Sequence, residues 1–507
     1  MRARLILLAL ILVGGWILYV PTARVPLLYD MLGYSAQALS LSQGEGNTIQ
    51  IGDAHLPGIY PIGVPLLASI PMWLLGDDMR VGQLAILACA LLALWLVAVT
   101  ARQLAGSAAG LTALLLVLCS PLFRVMSGYT MSQVPTALAV ILAVVLFVRL
   151  ESRLALMLAG FIAVMSLLFR FANVTLPVAL IGAEILWGGL RPRHRLRSLA
   201  LLGTGMTVAS LVVLAHNQWA YGGPLLTGYD AWGWDVSGQL SWKNFFNPTR
   251  TPSHAGDALL LRAFAGLSGL QSVPAVLAAF VGLWACWRPQ PRSPRARMLA
   301  GSASLAILLS YALLAGYAFR SDTYLVPIIP LMAVLGGVGA TWLLPARLAW
   351  MAPVGAAFLL ATSLWQVSGP SEADLQEVTR YRSLARAGEV LEPDALLLTT
   401  SDAALVEALV RTGPLRGVVY MEPFVGSMVT QFRLKDFAAR SYRRPEQVLP
   451  FLLGMVASGR PVYFDQNPPL RGLWETHRFV RDEILATFRL VPIEAENIFR
   501  LELRSEG

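Results

Sequence analysis

The stretch LYDMLGYSAQALSLSQG, Leu27–Gly44, separates the first apolar run of the chain from everything that follows it. It places a carboxylate, Asp30, and a tyrosine, Tyr34, just past the apolar segment Leu5–Val20. Leu32, Ala36 and Leu39 recur at helical spacing, which predicts a short amphipathic helix on a membrane surface. A carboxylate at the start of such a helix is favoured by the helix dipole, and Asp is among the preferred N-cap residues. The same carboxylate, held at an interface, is also placed to take a proton from a hydroxyl.

Composition makes that interface a bilayer. Of 507 residues, 56% are hydrophobic and 14% charged, and the mean hydropathy is +0.61. A soluble domain carries nearer ~25% charged residues. Apolar runs at Leu5–Val20, Val81–Thr100, Leu111–Phe123, Val134–Val148, Leu154–Phe169, Val174–Gly189, Leu199–His216, Leu267–Trp287, Leu299–Tyr317, Tyr324–Leu344 and Trp350–Val367 predict a polytopic α-helical membrane protein of about eleven spans. Ile62–Leu75 is apolar too, but Pro65 and Pro71 interrupt it and Pro61 precedes it. It reads as a further span or as a segment lying at the interface. Leu5–Val20 lacks a small-x-small cleavage site and is expected to remain as the first helix. Cys89, Cys119 and Cys286 all fall inside apolar runs, so no disulfide framework or CxxC site is implied.

The net charge of +9 comes largely from arginines in short loops. RPRHRLRS (Arg191–Ser198) and RPQPRSPRAR (Arg288–Arg297) have the character of cytoplasmic loops, and nucleic acid is not an expected partner. With the N-terminus in the cytoplasm, Arg102, Arg149, Arg153, Arg347 and both basic loops fall inside. Asp30, Glu45, Asp53, Asp77, Asp78, Asp230, Asp235, Asp257 and Asp322 then fall outside, as does the C-terminus.

Composition shifts near residue 370. Residues 1–369 form the membrane domain, with outer loops 21–80 and 217–265. Residues 370–507 read as a small extracytoplasmic α/β domain. Strands are expected in ALLLTTSD (Ala395–Asp402), GVVYMEP (Gly417–Pro423), RPVYFDQ (Arg460–Gln466) and NIFRLEL (Asn497–Leu503). A helix is expected over Pro445–Gly459, ending at a C-cap glycine.

Candidate chemistry gathers in the outer segments. The first holds Asp30, Tyr34, Asp53, His55 and YPIGVPLL (Tyr60–Leu67). The second holds WAYGGPLLTGYDAWGWD (Trp219–Asp235), Lys243 and His254, and the third is FRSDTYLVPIIP (Phe319–Pro330). Arg320 beside Tyr324 is a phosphate candidate at headgroup depth, or an interfacial anchor that snorkels. Arg124 and Lys243 are further cationic candidates; Lys243, one of two lysines, also suits a solvated loop. Arg170, in LLFRFAN, is either an ionisable residue at membrane depth, which points to function, or a marker of the outer surface. His55 and His254 read as loop residues as readily as ligands, and Trp232 and Trp234 suit sugar stacking or an interfacial belt.

The order of these pieces resembles the polyprenol-phosphate-dependent GT-C glycosyltransferases, which include the protein O-mannosyltransferases and the lipid A aminoarabinose transferases. An aspartate after the first span, a tyrosine and an Ala/Leu-rich helix, then the YPxGxPLL string, carry the first part of the likeness. YTMSQVPTALA (Tyr129–Ala139) resembles the start of the family's fourth span. YGGPLLTGY (Tyr221–Tyr229), RSDTYLVPIIPLMAVL (Arg320–Leu335) and GRPVYFD (Gly459–Asp465) continue it toward the tail.

The resemblance implies a sugar arriving on a polyprenyl phosphate and an inverting transfer to a hydroxyl of a glycan, lipid or protein acceptor. Asp30 inherits the role of general base or metal ligand. Tyr34, His55, Tyr60, Arg124, Arg170, Tyr229, Lys243, Arg320 and Tyr324 are the candidates for substrate contact. A divalent cation, magnesium or manganese, is an open cofactor question: Met31 stands where many members have a second acidic residue, and Gln133 where some have Glu. The chemistry suits these residue types, since the acceptor hydroxyl must lose a proton and negative charge grows on the leaving phosphate. The expected location is a bacterial plasma membrane. The rival readings are a transporter or flippase of lipid-linked sugars, a glycan polymerase or ligase, and a scaffold without catalysis.

Overall fold

The computed structural model describes residues 12–18, 30–51, 54–148, 152–187, 192–231, 273–287, 294–316, 322–365, 383–384, 386–392, 395–398, 419–421, 445–466, 482–495 and 497–504. Where they are described, the expected apolar runs fall on helices. After a helical stretch at 12–18 come α1 (Asp30–Ser42), the hairpin β1 (Thr48–Ile51) and β2 (Ala54–Pro57), then α2 (Gly63–Leu75). The bundle continues with α3 (Gln83–Ala105), α4 (Ser107–Cys119), α5 (Pro121–Met126), α6 (Gln133–Val148), α7 (Arg153–Met165), α8 (Thr175–Trp187), α9 (Pro192–Tyr221) and the short α10 (Gly228–Ala231). It closes with α11 (Val273–Trp287), α12 (Pro294–Gly316), α13 (Ile329–Trp342) and α14 (Met351–Trp365).

Four described helices are long and apolar enough to cross a membrane: Met79–Ala105, Arg193–Tyr221, Thr323–Trp342 and Ala346–Leu364. Shorter apolar helices pack among them, and lipid-facing side chains such as Leu92, Trp95, Leu211 and Phe358 are exposed on the outside. Water does not tolerate so much contiguous apolar surface, so this surface belongs in hydrocarbon.

Local chemistry sets the breaks between helices. Gly106, at φ +89°, turns α3 into α4 where a side chain would be strained. Ser120 accepts the Phe123 N–H, and Pro121 starts α5 at a position that needs no N–H. Small residues let backbones meet: a Cβ on Gly339 would land on the Ala278 carbonyl, and one on Gly205 on the Met157 carbonyl.

One expectation changes and one open alternative narrows. The segment Asp30–Ser42 is helical, but it does not lie with one face to water. Met31, Leu32 and every residue from Tyr34 to Ser40 are buried, because α2 and β1 fold over it. The proline-broken stretch forms α2, which at about 20 Å is short for a span. Val64, Ala68 and Met72 face inward, while Leu66, Ile70, Trp73 and Leu74 are exposed.

Beyond the bundle, five strands form one sheet in the order β4-β3-β5-β7-β6. These are β3 (Leu396–Leu398), β4 (Val419–Met421), β5 (Val462–Asp465), β6 (Phe488–Pro492) and β7 (Ile498–Leu503). β3 runs parallel to β4 and β5; β7 is antiparallel to β5 and β6. A helix, α15 (Pro445–Ala457), packs on β5 and β7 and ends before Gly459, at φ +79°, as the expected C-cap. β6 was not foreseen, since FRLVP shows no clean alternation and ends in proline.

The close approach of α11 and α13 yields a prediction. Gly339→Ala should destabilise the protein by about 1–3 kcal/mol through overpacking. Gly203→Ala, where an added Cβ meets nothing within 4 Å, should leave the thermal midpoint in detergent unchanged or raise it.

Candidate active site

Side chains from six separate segments meet at one end of the bundle. Asp30 opens α1. The Tyr60 hydroxyl donates to Asp30 Oδ1 at 2.9 Å. Tyr60 stacks on Tyr34 with ring centroids 4.1 Å apart and planes 20° apart. Tyr229, on α10, meets the Tyr60 ring edge-on at 6.3 Å and Phe171 at 6.1 Å. A hydrogen bond joins the Tyr34 hydroxyl to Ser132, just before α6. The Arg170 guanidinium lies 3.6 Å over the ring of Tyr324, which belongs to the 3-10 turn Asp322–Ile328 before α13.

The backbone around Tyr60 is cleared by glycines. A Cβ on Gly33 would strike the Tyr60 ring, and one on Gly228 the carbonyls of Gly58 and Ile59. One on Gly63 would strike the Leu168 carbonyl, so the Tyr60 loop rests on the turn that carries Arg170. That turn interrupts the chain between α7 and α8. Asn173 Nδ2 staples it, donating to the Ser166 carbonyl at 2.7 Å and to Thr136 Oγ1 at 3.2 Å. The FRFAN motif therefore builds a helix break, and the break presents Arg170.

Electrostatics follow from this packing. Asp30 keeps an exposed edge, yet the surrounding wall desolvates its carboxyl and holds it above the ordinary aspartate value. The Tyr60 hydrogen bond and the positive charge of Arg170 act in the opposite sense. Burial, with the negative charge of Asp30 adding to it, pushes the phenols of Tyr34, Tyr60 and Tyr229 up, so they are neutral hydrogen-bonding groups. The Tyr324 ring attracts the guanidinium over its face and so holds Arg170 in place.

Six of the expected residues are thus brought together: Asp30, Tyr34, Tyr60, Arg170, Tyr229 and Tyr324. Arg124 is not among them. It is 4% exposed and turned into the bundle, where it donates to the Leu118 carbonyl at 2.6 Å, to Ser363 Oγ at 3.0 Å and to the Ser363 carbonyl at 3.2 Å. Its guanidinium ties α14 to the α4–α5 corner. His55 is exposed on β2, in register with Gln50, and makes none of the contacts above. Lys243 and Arg320 lie outside the described residues, as do Asp53, His254, Trp232 and Trp234.

Sequence reasoning missed Gln37, Asn47, Ser132 and Phe171. Gln37 carried a signal of its own, as a lone amide in the small, apolar run SAQAL. Once that helix is enclosed, such an amide must find partners.

Arg124 gives a second prediction. Arg124→Met should cost about 2–3 kcal/mol of stability through lost charge-assisted bonds. The loss should show as a lowered thermal midpoint in detergent, while the Tyr60–Asp30 hydrogen bond, which Arg124 does not touch, should be kept.

Comparison with known proteins bears out the resemblance drawn from the motifs. Residues 60–219 match the family described as dolichyl-phosphate-mannose-protein mannosyltransferase. That segment starts at Tyr60 and includes Arg170. No curated protein sequence matches the chain. Among solved structures, ArnT from Cupriavidus metallidurans bound to undecaprenyl phosphate superposes with a TM-score of 0.65 at 13% identity, covering 98% of this chain and 97% of that one. The apo state of the same protein gives 0.61 at 13%, with 99% and 98% covered. The oligosaccharyltransferase of Archaeoglobus fulgidus, in complex with zinc and sulfate, gives 0.50 at 12%, covering 80% of this chain and 62% of that one. At such identities the structural likeness is one of fold, shared with ArnT and with the archaeal oligosaccharyltransferase.

Proposed function

We propose that the protein transfers a sugar from a polyprenyl-phosphate donor to an acceptor hydroxyl, with Asp30 as general base. The observation that carries this reading is the juxtaposition of a desolvated carboxyl, Asp30, and a guanidinium seated on an aromatic face, Arg170, at one end of a membrane bundle. Asp30 takes the proton of the acceptor hydroxyl. The freed oxygen pair attacks the anomeric carbon from the side opposite the phosphate, which inverts the configuration. The bond between the anomeric carbon and the phosphate oxygen breaks, and its electron pair leaves on the polyprenyl phosphate, where Arg170 meets the charge. The proton held by Asp30 then passes to solvent through its exposed edge.

The arrangement of the helices supports an extracytoplasmic site. The junctions carrying Arg102, the Arg193–Arg197 cluster and Arg347 lie at the helix ends opposite those carrying Ser132, Arg170, Tyr229 and Tyr324. With basic loops inside, the cluster faces outward, the N-terminus is cytoplasmic and the C-terminal sheet is extracytoplasmic. The membrane is a bacterial plasma membrane on this reading. The acceptor is a glycan, lipid or protein hydroxyl.

The described residues do not offer a divalent cation a ready home. No three His, Cys, Asp or Glu side chains gather among them, and Asp30 already accepts from Tyr60 beside a positive charge.

The test uses full-length protein in lipid nanodiscs with a panel of radiolabelled undecaprenyl-phosphate sugars, following release of sugar from lipid. Asp30→Asn should slow release by about 100-fold or more. Equal release by Asp30→Asn would remove the base from the scheme. Because the base works deprotonated, wild-type turnover should fall as pH drops through a value above the ordinary 3.8 of aspartate. Arg170→Gln should weaken binding of undecaprenyl phosphate by about 10- to 100-fold.

A further inference from the structure

The bond between Tyr60 and Asp30 is held from behind by a buried amide. Gln37 lies about two turns along α1 from Asp30, on the same face, and is fully buried. Its Oε1 accepts the Tyr60 backbone N–H at 3.0 Å. Its Nε2 donates to the Tyr60 carbonyl at 3.0 Å and to Asn47 Oδ1 at 2.8 Å. Both backbone polar groups of Tyr60 are thus met by one side chain.

That pairing answers a local need. Pro61 follows Tyr60, so the next residue has no N–H, and Tyr60 is biased toward an extended conformation. No strand runs beside this loop in the described structure. Gln37 supplies the donor and the acceptor that a neighbouring strand would offer. Of the side chains long enough to reach, glutamine presents both in one plane; glutamate lacks the donor and methionine lacks both.

The amide is itself fixed. Asn47 Nδ2 donates to the Tyr221 hydroxyl at 3.2 Å, and that hydroxyl donates to the Gly58 carbonyl at 3.2 Å. The Gly58 N–H returns to the Asn47 carbonyl at 2.8 Å. A Cβ at Gly58 would fall on the Gln37 amide and the Asn47 side chain. The strut therefore runs from the end of α9 through the β1–β2 hairpin base to Gln37, and from there to Tyr60.

We propose that Gln37 is a positioning residue for the transfer: it fixes the Tyr60 backbone so that the phenol donates to Asp30 and aims the carboxylate. The proposal rests on the reading of Asp30 as the base. The Tyr60 hydroxyl sits at the far end of a rigid ring, so a small rotation of the backbone is magnified where the ring meets the carboxylate. Among the described residues, the charged and titratable groups facing Asp30 are Tyr60, Tyr34, Tyr229 and Arg170. Of these, Tyr60 alone bonds to it directly among the described residues.

The experiment titrates Asp30 in the full-length protein in nanodiscs, by infrared difference spectroscopy of its carboxyl band, assigned as the band lost in Asp30→Asn. Tyr60→Phe removes the donor to the charged form and should raise the midpoint by about one pH unit. Gln37→Met should raise it in the same direction, and adding it to Tyr60→Phe should raise it no further. Gln37→Asn, whose amide falls short of Tyr60, serves if Gln37→Met does not fold. Gln37 variants that titrate like wild type while Tyr60→Phe shifts would overturn the proposal, leaving Gln37 a structural residue. An unmoved midpoint in Tyr60→Phe would overturn it as well. The titration needs no turnover, so a catalytically competent Asp30→Asn would defeat the base without touching this result.

Discussion

The hydrogen bond from Tyr60 to Asp30 is the constraint around which the outer end of this bundle is organised. It joins two segments 30 positions apart in sequence, and it requires the Tyr60 ring to pass close to the backbone at Gly33 and the Tyr60 loop to pass close to the backbone at Leu168 and Gly228. Gly33, Gly63 and Gly228 are the residues that leave room, each where a Cβ would strike a ring or a carbonyl. Tyr34 closes one face of the ring and Tyr229 its edge. The string YPIGVPLL and the string YGGPLLTGY, far apart in the chain, are two sides of one packing problem.

A membrane enzyme must bring a charged reaction to the edge of a medium that rejects charge. This fold meets that demand at helix ends. The break between α7 and α8 costs helical hydrogen bonds, which Asn173 partly replaces, and in return it delivers Arg170. The cation then rests on Tyr324 rather than in a close ion pair with Asp30. A close ion pair would hold the carboxyl low and make it a poor base; at longer range, desolvation wins and the carboxyl stays high. On the proposed mechanism, the base and the group that meets the leaving phosphate are kept apart within one small cluster.

Much of this was legible in the chain. The apolar runs located the helices, and charge sorting agreed with the way the basic junctions segregate from the cluster. Asp30, Tyr34, Tyr60, Arg170, Tyr229 and Tyr324 were each readable from local strings, but their meeting was not, because it depends on contacts between distant segments. Arg124 and Arg170 show the limit most plainly. Both are arginines in apolar surroundings, and only tertiary packing turns one toward Ser363 and lays the other on Tyr324. Gln37 was hidden for a related reason, since the helix was expected to lie at a surface where an amide needs no partner. β6 escaped because its pairing with β7, rather than any alternation of its own, makes it a strand.

The most direct test of the account is a cryo-electron microscopy structure of the protein in nanodiscs with undecaprenyl phosphate. The phosphate should lie at headgroup depth, with an oxygen about 3 Å from the Arg170 guanidinium, and Asp30 should face the position where the anomeric carbon would sit. A phosphate bound elsewhere, with Arg170 still lying on Tyr324 and touching no lipid, would contradict it.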